Sequence, residues 1–186
     1  QEPDGYLNTY FSINAPTKKW TNLVEGHELY TAGHMIEAAV AYYQATGKEK
    51  FLNIARKNAD LICRVFGTGE GQKRGYPGHQ EIELALVKLY RVTGERAYLH
   101  QAEYFIRAEI EGRGHPEFFP EFERYDLEYS QAHKPPVEQD EAVGHAVREM
   151  YMCSAMADLA GENDDQQLKD ACQRIWNNMT DRRMYI

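Results

Sequence analysis

The sequence predicts an all-α fold made of helical hairpins. Apolar residues recur in steps of three and four along most of the chain, which is the period of an amphipathic helix. One hairpin-sized pattern occurs three times, and no convincing strand pattern interrupts the copies. Such repetition is typical of helical arrays and toroids, in which each unit packs against its neighbours.

The first hairpin lies between His27 and Phe66, with its turn around Gly47. Its first half carries apolar residues at helical spacing from Leu29 to Tyr43, and its second half repeats that spacing. Glycine in the turn suits the left-handed conformation that ends many helices. We therefore expect two helices joined by a short turn.

Two further copies follow the first. The segment YQATGK at 43–48 matches YRVTGE at 90–95, which begins 47 residues later. A third and weaker copy runs from Ala146 to Met179. Its predicted turn spans 161–165, where Gly, Asn and Asp are typical turn residues.

The two helices of each hairpin differ in polarity. The first is apolar around much of its circumference, as at 84–87 and 150–153, whereas the second carries charged residues on one face. This difference predicts an inner and an outer layer, which is the layout of an (α/α) barrel. Six hairpins close such a ring, so we expect about half of an (α/α)6 toroid, with inner-layer surface exposed at both open edges.

Composition narrows the classes of partner. The 186 residues carry 21 Lys and Arg against 29 Asp and Glu, a net charge of −8, which argues against a nucleic-acid or anionic-membrane surface. No apolar run approaches the roughly 18–20 residues of a membrane-spanning helix. We therefore expect neither nucleic acid nor a membrane as a partner.

The ends and the cysteines bear on domain organisation and on metals. The chain lacks an initiator Met and a signal-like start, and it stops at Ile186 without a polar tail. We expect residues 1–186 to be one partial domain, truncated at both ends, and no compartment is predicted.

Cys63, Cys153 and Cys172 are odd in number and far apart, so they predict neither a disulfide framework nor a metal site.

One dipeptide opens the first helix of every hairpin. Gly precedes His27, His79 and His145, which we call the histidine triplet. Equivalent repeat positions place all three imidazoles at one mouth of the ring, near helix N-termini, where neutral rings are favoured over charged ones. The triplet is therefore predicted to hydrogen-bond a ligand. A three-His metal site is not predicted, because the spacing contains no short ligand pair, and His34 is assigned to core packing.

Two long loops approach the same mouth. The first, 67–78, contains five glycines and Tyr76 but lacks P-loop spacing, so a nucleotide site is not predicted. The second, about 112–143, is rich in aromatic residues, and aromatic rings beside imidazoles and carboxylates suit a sugar. These aromatic residues are Phe118, Phe119, Phe122, Tyr125 and Tyr129.

Two other functions are also compatible with the sequence, and the first depends on carboxylates at the mouth. Glu28, Glu81, Asp140 and Glu141 are candidates, since glycoside hydrolysis commonly uses two carboxylates, but no spacing singles out a pair. One alternative is a toroid glycosidase that uses two carboxylates. The other is a non-catalytic helical-repeat module that binds a partner in its concave face.

Several stretches form specific motifs: GYLNTY at 5–10, HELY at 27–30, AGH at 32–34, EAAVAYY at 37–43, RGYPGH at 74–79, EIELAL at 81–86 and DEAVGHAV at 140–147. Over nearly the whole chain, the sequence resembles glycoside hydrolase family 127, the β-L-arabinofuranosidase family. One departure is Thr31, where relatives often have cysteine, and it affects no assigned role.

The resemblance implies the N-terminal half of an (α/α)6 catalytic barrel and a retaining exo-hydrolase of β-L-arabinofuranosides. It implies a carbohydrate partner and a sugar pocket lined by the histidine triplet. We add Tyr76, from the first loop, to the predicted substrate-binding residues.

The resemblance also implies where the catalytic groups lie. The nucleophile of the family is a cysteine thiolate held by a zinc site of cysteines and a glutamate, with another glutamate as acid/base, and these motifs lie further along the chain. Cys63, Cys153 and Cys172 match none of them. We therefore expect no catalytic residue and no cofactor in this segment, zinc in the full-length parent, and no activity of the segment alone.

Overall fold

Seven α-helices account for most of the described chain. The computed structural model describes residues 1–107, 113–114 and 126–184. The helices are α1 (Thr9–Asn14), α2 (Glu28–Thr46), α3 (Glu49–Val65), α4 (Ile82–Thr93), α5 (Arg96–Arg107), α6 (Ala146–Asn163) and α7 (Gln166–Asn178). Short 3-10 turns at Pro16–Lys18 and Pro136–Glu138, and a π-helical turn at Met179–Arg183, complete the set.

Helices α2 to α7 form the three predicted hairpins. Each pair, α2 with α3, α4 with α5 and α6 with α7, packs along its length. No strand occurs in the described ranges, where the single β-type contact is an isolated bridge between Phe66 and Lys73. The all-α prediction is therefore confirmed.

The hairpins stack through their first helices. Helix α2 packs on α4 and α4 packs on α6, so these three form the inner layer, while α3, α5 and α7 lie outside them. In α4, the six consecutive residues 82–87 are all buried. In α3, by contrast, the buried side chains follow one stripe, from Leu52 through Ala55 and Ala59 to Ile62. The predicted difference between the layers is confirmed.

Two of the three hairpin turns use glycine as predicted, and the third does not. Gly47 and Gly94 end α2 and α4 with φ of 67° and 73°, and their N–H groups donate to Tyr43 and Tyr90. In the third hairpin, α6 continues through Gly161, and Asp164 takes the left-handed position with φ 52°.

The third turn differs because it consists of two aspartates, Asp164 at the end of α6 and Asp165 at the start of α7. Aspartate tolerates the left-handed region better than most residues. Asp165 then begins α7, where its carboxylate accepts hydrogen bonds from the N–H groups of Gln167 and Leu168.

The two sides of the stack expose apolar side chains. Tyr10, Ile13 and Tyr42 are exposed on α1 and α2. At the opposite side the exposed residues are Val147, Met150, Trp176 and Met184, beside a cavity of about 530 Å³ between α6 and α7. Of these residues, Tyr42 on α2 and Val147 and Met150 on α6 belong to the inner layer, and the assignment of both sides as open edges of a larger ring stays a prediction. In the part of the chain that the structure describes, no helix has the length and apolar character needed to cross a membrane.

The unequal turns give a stability prediction. Gly94→Ala should lower the free energy of unfolding by about 1 kcal/mol, because alanine is strained at φ 73°. Asp164→Gly should instead raise it by up to about 1 kcal/mol, since the ion pair of Asp164 with Lys169 is exposed and contributes little. Urea unfolding measures both changes. A stabilising Gly94→Ala would contradict the assignment of strain to these turns.

Candidate functional site

The histidine triplet converges on one mouth of the inner layer. The ring centroids of His27 and His79 lie 6.0 Å apart, and those of His79 and His145 lie 5.7 Å apart. Tyr30 lies beside them, 4.2 Å from His79 and 5.8 Å from His27. The three imidazoles, predicted from the repeat alone to meet, therefore do so.

Gly78 brings His79 against the segment that leads to His27. Its N–H donates to the carbonyl of Leu23 at 2.9 Å. A Cβ at position 78 would lie 2.5 Å from Val24 Cα, so only glycine permits this approach of two backbones. The glycine of the second Gly-His dipeptide thus sets the spacing between two members of the triplet.

Gly144 permits a similar close approach of two backbone segments next to His145. It has φ 71°, and a Cβ there would overlap the carbonyl of Glu128. The N–H of His145 donates to the carbonyl of Tyr129 at 3.1 Å. We call residues 126–145 the mouth loop. The hydrogen bond to Tyr129 fixes His145, the last residue of this loop, against an earlier part of it.

A buried carboxamide joins the mouth loop to the second histidine. Gln131 Oε1 accepts from Gln80 Nε2 at 2.8 Å, and Gln80 directly follows His79. Gln131 Nε2 donates to the carbonyls of Val143 at 2.8 Å and His145 at 3.3 Å. One fully buried side chain thus connects the backbones that carry His79 and His145.

Two buried guanidinium groups reinforce this connection. Arg113 donates to the carbonyls of Ser130 at 2.8 Å and Pro77 at 2.5 Å. Arg148 donates to Ser130 Oγ at 2.9 Å. Glu83 Oε1 lies 3.7 Å from Arg113 and offsets its charge in the interior. No motif in the sequence pointed to these contacts, which join residues far apart along the chain.

Hydrogen bonds define the protonated nitrogen in two rings of the triplet. Nδ1 of His27 lies 2.5 Å from the carbonyl oxygen of Glu25, and Nδ1 of His79 lies 2.8 Å from that of Gln80. A carbonyl oxygen only accepts hydrogen bonds, so each Nδ1 carries the proton. In the neutral ring Nε2 is then a hydrogen-bond acceptor.

His145 has the opposite arrangement. Its Nδ1 accepts the backbone N–H of Arg148 at 3.4 Å, at the start of α6. Nε2 of His145 is therefore the protonated nitrogen and a donor. The triplet offers two acceptors and one donor.

The middle ring is neutral at pH 7. Burial lowers the pKa of His79 to about 4, opposed by its hydrogen bond to the Gln80 carbonyl and assisted by the charge of Arg148. A neutral imidazole can offer a lone pair, which a protonated one cannot.

Glu28, one of the four carboxylate candidates, has a structural role in the described chain. It is buried, it accepts a short hydrogen bond from the Tyr6 hydroxyl, and its other oxygen accepts the Trp20 N–H at 2.8 Å. Burial raises its pKa, against the opposing effect of these hydrogen bonds.

Asp140 and Glu141 are engaged at the surface. They form ion pairs with Lys134 at 2.7 Å and Arg183 at 3.1 Å. The hydrogen bond from Lys134 lowers the pKa of Asp140.

The fourth candidate belongs to a cluster that the sequence analysis missed. His34, Glu37 and Glu81 bring one ring nitrogen and two carboxyl oxygens within 4.8 Å of one another, a donor set that a metal ion could use. His34 was expected in the core, yet its side chain is 42% exposed. The i, i+3 spacing of His34 and Glu37 on one helix was an available signal.

Tyr76 lies away from the exposed surface. Its ring is fully buried, with the Arg113 guanidinium 4.7 Å above the ring centroid. Its contact with a sugar stays a prediction. In the mouth loop, Tyr129 is 42% exposed and lies 5.4 Å from the ring of His145. The other predicted aromatic residues, Phe118, Phe119, Phe122 and Tyr125, lie outside the described residues.

Two relatives are similar to the whole chain. A non-reducing end β-L-arabinofuranosidase of Bifidobacterium longum subsp. longum is 40% identical over 200 residues, covering 100% of this chain and 30% of the relative. The crystal structure of a GH127 β-L-arabinofuranosidase from Geobacillus stearothermophilus T6 is 56% identical, with a TM-score of 0.94, covering 100% of this chain and 31% of that one. The chain thus spans less than a third of either relative.

A second solved structure and a family match agree with these. A GH127 β-arabinofuranosidase is 50% identical with a TM-score of 0.84, covering 96% of this chain and 28% of that one. Residues 1–186 match the sequence model of the family described as β-L-arabinofuranosidase, GH127 catalytic domain. From the first residue to the last, the chain belongs to the GH127 β-L-arabinofuranosidase family.

Proposed function

We propose that this chain forms one wall of the sugar pocket in a retaining exo-β-L-arabinofuranosidase. Residues 1–186 are then part of one (α/α)6 catalytic domain, and the whole protein is a glycoside hydrolase. The observation that carries the proposal is the meeting of His27, His79 and His145 at one mouth. The names of the relatives, all β-arabinofuranosidases, support the substrate class.

The hydrogen-bonding pattern of the triplet suits a neutral polyol. Hydroxyl groups donate and accept equally well, so they can donate to Nε2 of His27 and His79 and accept from Nε2 of His145. Tyr30 adds an aromatic face beside these polar groups. A site for a phosphorylated ligand would need cationic donors, whereas His79 is neutral at pH 7.

We assign the nucleophile, the acid/base and the zinc of the family to parts of the protein outside this chain. A cysteine binds zinc as a thiolate, yet burial raises the pKa of Cys63 to about 12 and that of Cys172 to about 11, and it raises the pKa of Cys153 as well. All three are free thiols that do not fit a zinc site. When bound, zinc would hold the cysteine nucleophile as a thiolate.

The proposal predicts a specific activity. The full-length protein containing this chain should release the aryl alcohol from an aryl β-L-arabinofuranoside and not from the α-anomer. A zinc chelator and a thiol alkylating reagent should each abolish the release, because the proposed nucleophile is a zinc-held thiolate. A chromogenic assay with both anomers measures this.

Two results would contradict the proposal. Activity that survives both reagents would favour the toroid glycosidase that uses two carboxylates. Lack of activity on both anomers, together with no arabinose binding, would favour a non-catalytic module. The isolated 186 residues serve as the negative control, since they should release no sugar.

The triplet predicts a binding defect. His79→Ala removes one acceptor and should raise KM for the arabinoside about 5-fold, the effect of one hydrogen bond of about 1 kcal/mol. His100→Ala, on the exposed face of α5, is the matched control and should leave KM unchanged. Steady-state kinetics of the full-length variants provide the test. Equal KM values for the two variants would remove His79 from the pocket.

The buried carboxamide predicts a combined defect. Gln131→Leu keeps the side-chain size but removes the 2.8 Å hydrogen bonds of its carboxamide with Gln80 Nε2 and with the Val143 carbonyl, which should cost about 1–3 kcal/mol of unfolding free energy. Because Gln131 spaces His79 and His145, KM should also rise several-fold. Gln44→Leu, at an exposed position of α2, is the control. Thermal unfolding and kinetics together test it, and a stable variant with unaltered KM would refute the role.

A further inference from the structure

The cluster of His34, Glu37 and Glu81 lies between the inner helices α2 and α4, and nothing proposed above uses it. Glu81 immediately precedes α4 and is completely buried. Its carboxyl group lies against the backbone of α2 at Gly33, where a Cβ would overlap Glu81 Oε2. The absence of a side chain at position 33 thus makes room for this carboxyl group between His34 and Glu37.

The two carboxyl groups share one nearby cation. Lys88 Nζ forms a close ion pair with Glu37 Oε1. His34 Nδ1 lies 3.2 Å from Glu81 Oε1, and apart from it no N–H or hydroxyl donor of the described residues pairs with either oxygen of Glu81. Two ionised carboxylates with one ammonium would leave a buried negative charge, which a single proton between the carboxyl groups removes.

Of the two carboxyl groups, that of Glu81 holds the shared proton. Burial raises the pKa of Glu81, and so do its hydrogen bond with Glu37 and the negative charge of that neighbour. Burial acts in the same direction on Glu37, but the hydrogen bond from Glu81 and the ammonium of Lys88 outweigh it and lower the pKa of Glu37. The charges then balance as a neutral acid, a carboxylate and an ammonium.

A metal ion fits this charge balance less well. His34, Glu37 and Glu81 could supply three ligands, but Lys88 already neutralises Glu37. A divalent cation would have to displace that ammonium or bring an excess positive charge into the interior. We therefore favour the shared proton, and metal binding becomes an outcome of the test.

His34 connects the buried carboxyl group of Glu81 to the surface of the mouth. Nδ1 of His34 lies 3.2 Å from Glu81 Oε1. The ring is packed edge-on against Tyr30 at 4.5 Å and Tyr151 at 5.9 Å, and Tyr30 also contacts His79. His34 therefore continues the surface of the histidine triplet about two turns beyond His27 along α2.

We propose that Glu81, as a neutral carboxylic acid that donates to Glu37, holds His34 as a fourth, hydrogen-bond-accepting imidazole of the sugar surface. His34 faces Oε1 of Glu81 with Nδ1 at 3.2 Å, so in this proposal the ring proton sits on Nδ1, toward that oxygen, and the Nε2 lone pair is left for a hydroxyl group of the sugar. Glu81 is then a positioning residue and His34 a binding residue. This inference rests on the proposed function, because it takes the ligand to be a sugar.

The test compares four variants of the full-length protein by calorimetric titration with L-arabinose and by kinetics on the aryl arabinoside. His34→Phe keeps the ring contacts but removes the acceptor, and should weaken binding about 10-fold with kcat changed less than about threefold. Glu81→Leu should do the same. Glu81→Gln is neutral, donates to Glu37 and accepts from His34, so binding should weaken less than about threefold. His100→Phe, on exposed α5, is the control.

Three results would overturn the inference while leaving the proposed function intact. The first is wild-type affinity in His34→Phe. The second is a loss in Glu81→Gln as large as that in Glu81→Leu, which would show that Glu81 acts as an anion. The third is Mn²⁺ or Zn²⁺ bound by the wild type, measured by equilibrium dialysis, and lost in Glu81→Gln, which would establish a metal site. If Glu81→Leu fails to fold, Glu81→Gln and His34→Phe still decide the question. Failure of the proposed function itself appears differently, as a wild-type protein that neither binds arabinose nor cleaves the arabinoside.

Discussion

The mouth of this protein depends on buried polar contacts between segments that have no regular structure of their own. The carboxamide of Gln131 satisfies Gln80 on one side and the carbonyls of Val143 and His145 on the other. The carboxamides of Gln80 and Gln131 are both buried, so an unmet hydrogen bond between them would cost about 1–3 kcal/mol, far more than a surface contact contributes. The helices supply a rigid frame, but the spacing of the imidazoles is set by the loops that these bonds hold together.

Local chemistry explains why much of this architecture could be predicted. Helical period, a repeated TG turn and repeated Gly-His dipeptides are properties of neighbouring residues, and they predicted the hairpins, the layers and the meeting of the triplet. The third turn lies at Asp164 and Asp165, inside the predicted 161–165, and its left-handed residue is aspartate rather than glycine. Patterns of this kind hold wherever the determining contacts lie within a few positions.

The remaining features arise from contacts between distant residues. Gln80 and Gln131 are 51 positions apart, and no periodicity links an amide in one loop to an amide in another. His34 was assigned to the core because it lies one heptad from His27, a rule that locates a helix face but not its neighbour. The neighbour is the buried carboxyl group of Glu81, which lies over Gly33, and the side chain of His34 is partly exposed beside it. Burial of charged groups such as Arg113 is likewise decided by tertiary partners rather than by composition.

The close backbone contact at Gly78 has a consequence for the engineering of new specificities. Every amino acid other than glycine would collide with Val24, so position 78 offers no useful diversity in a mutant library. The same holds for Gly144 at the mouth loop. Libraries that seek new ligands would gain most by randomising the half-exposed rings of Tyr30, His34 and Tyr151. Substitutions at these positions would change the lining of the cleft and leave the close backbone contacts at Gly78 and Gly144 intact.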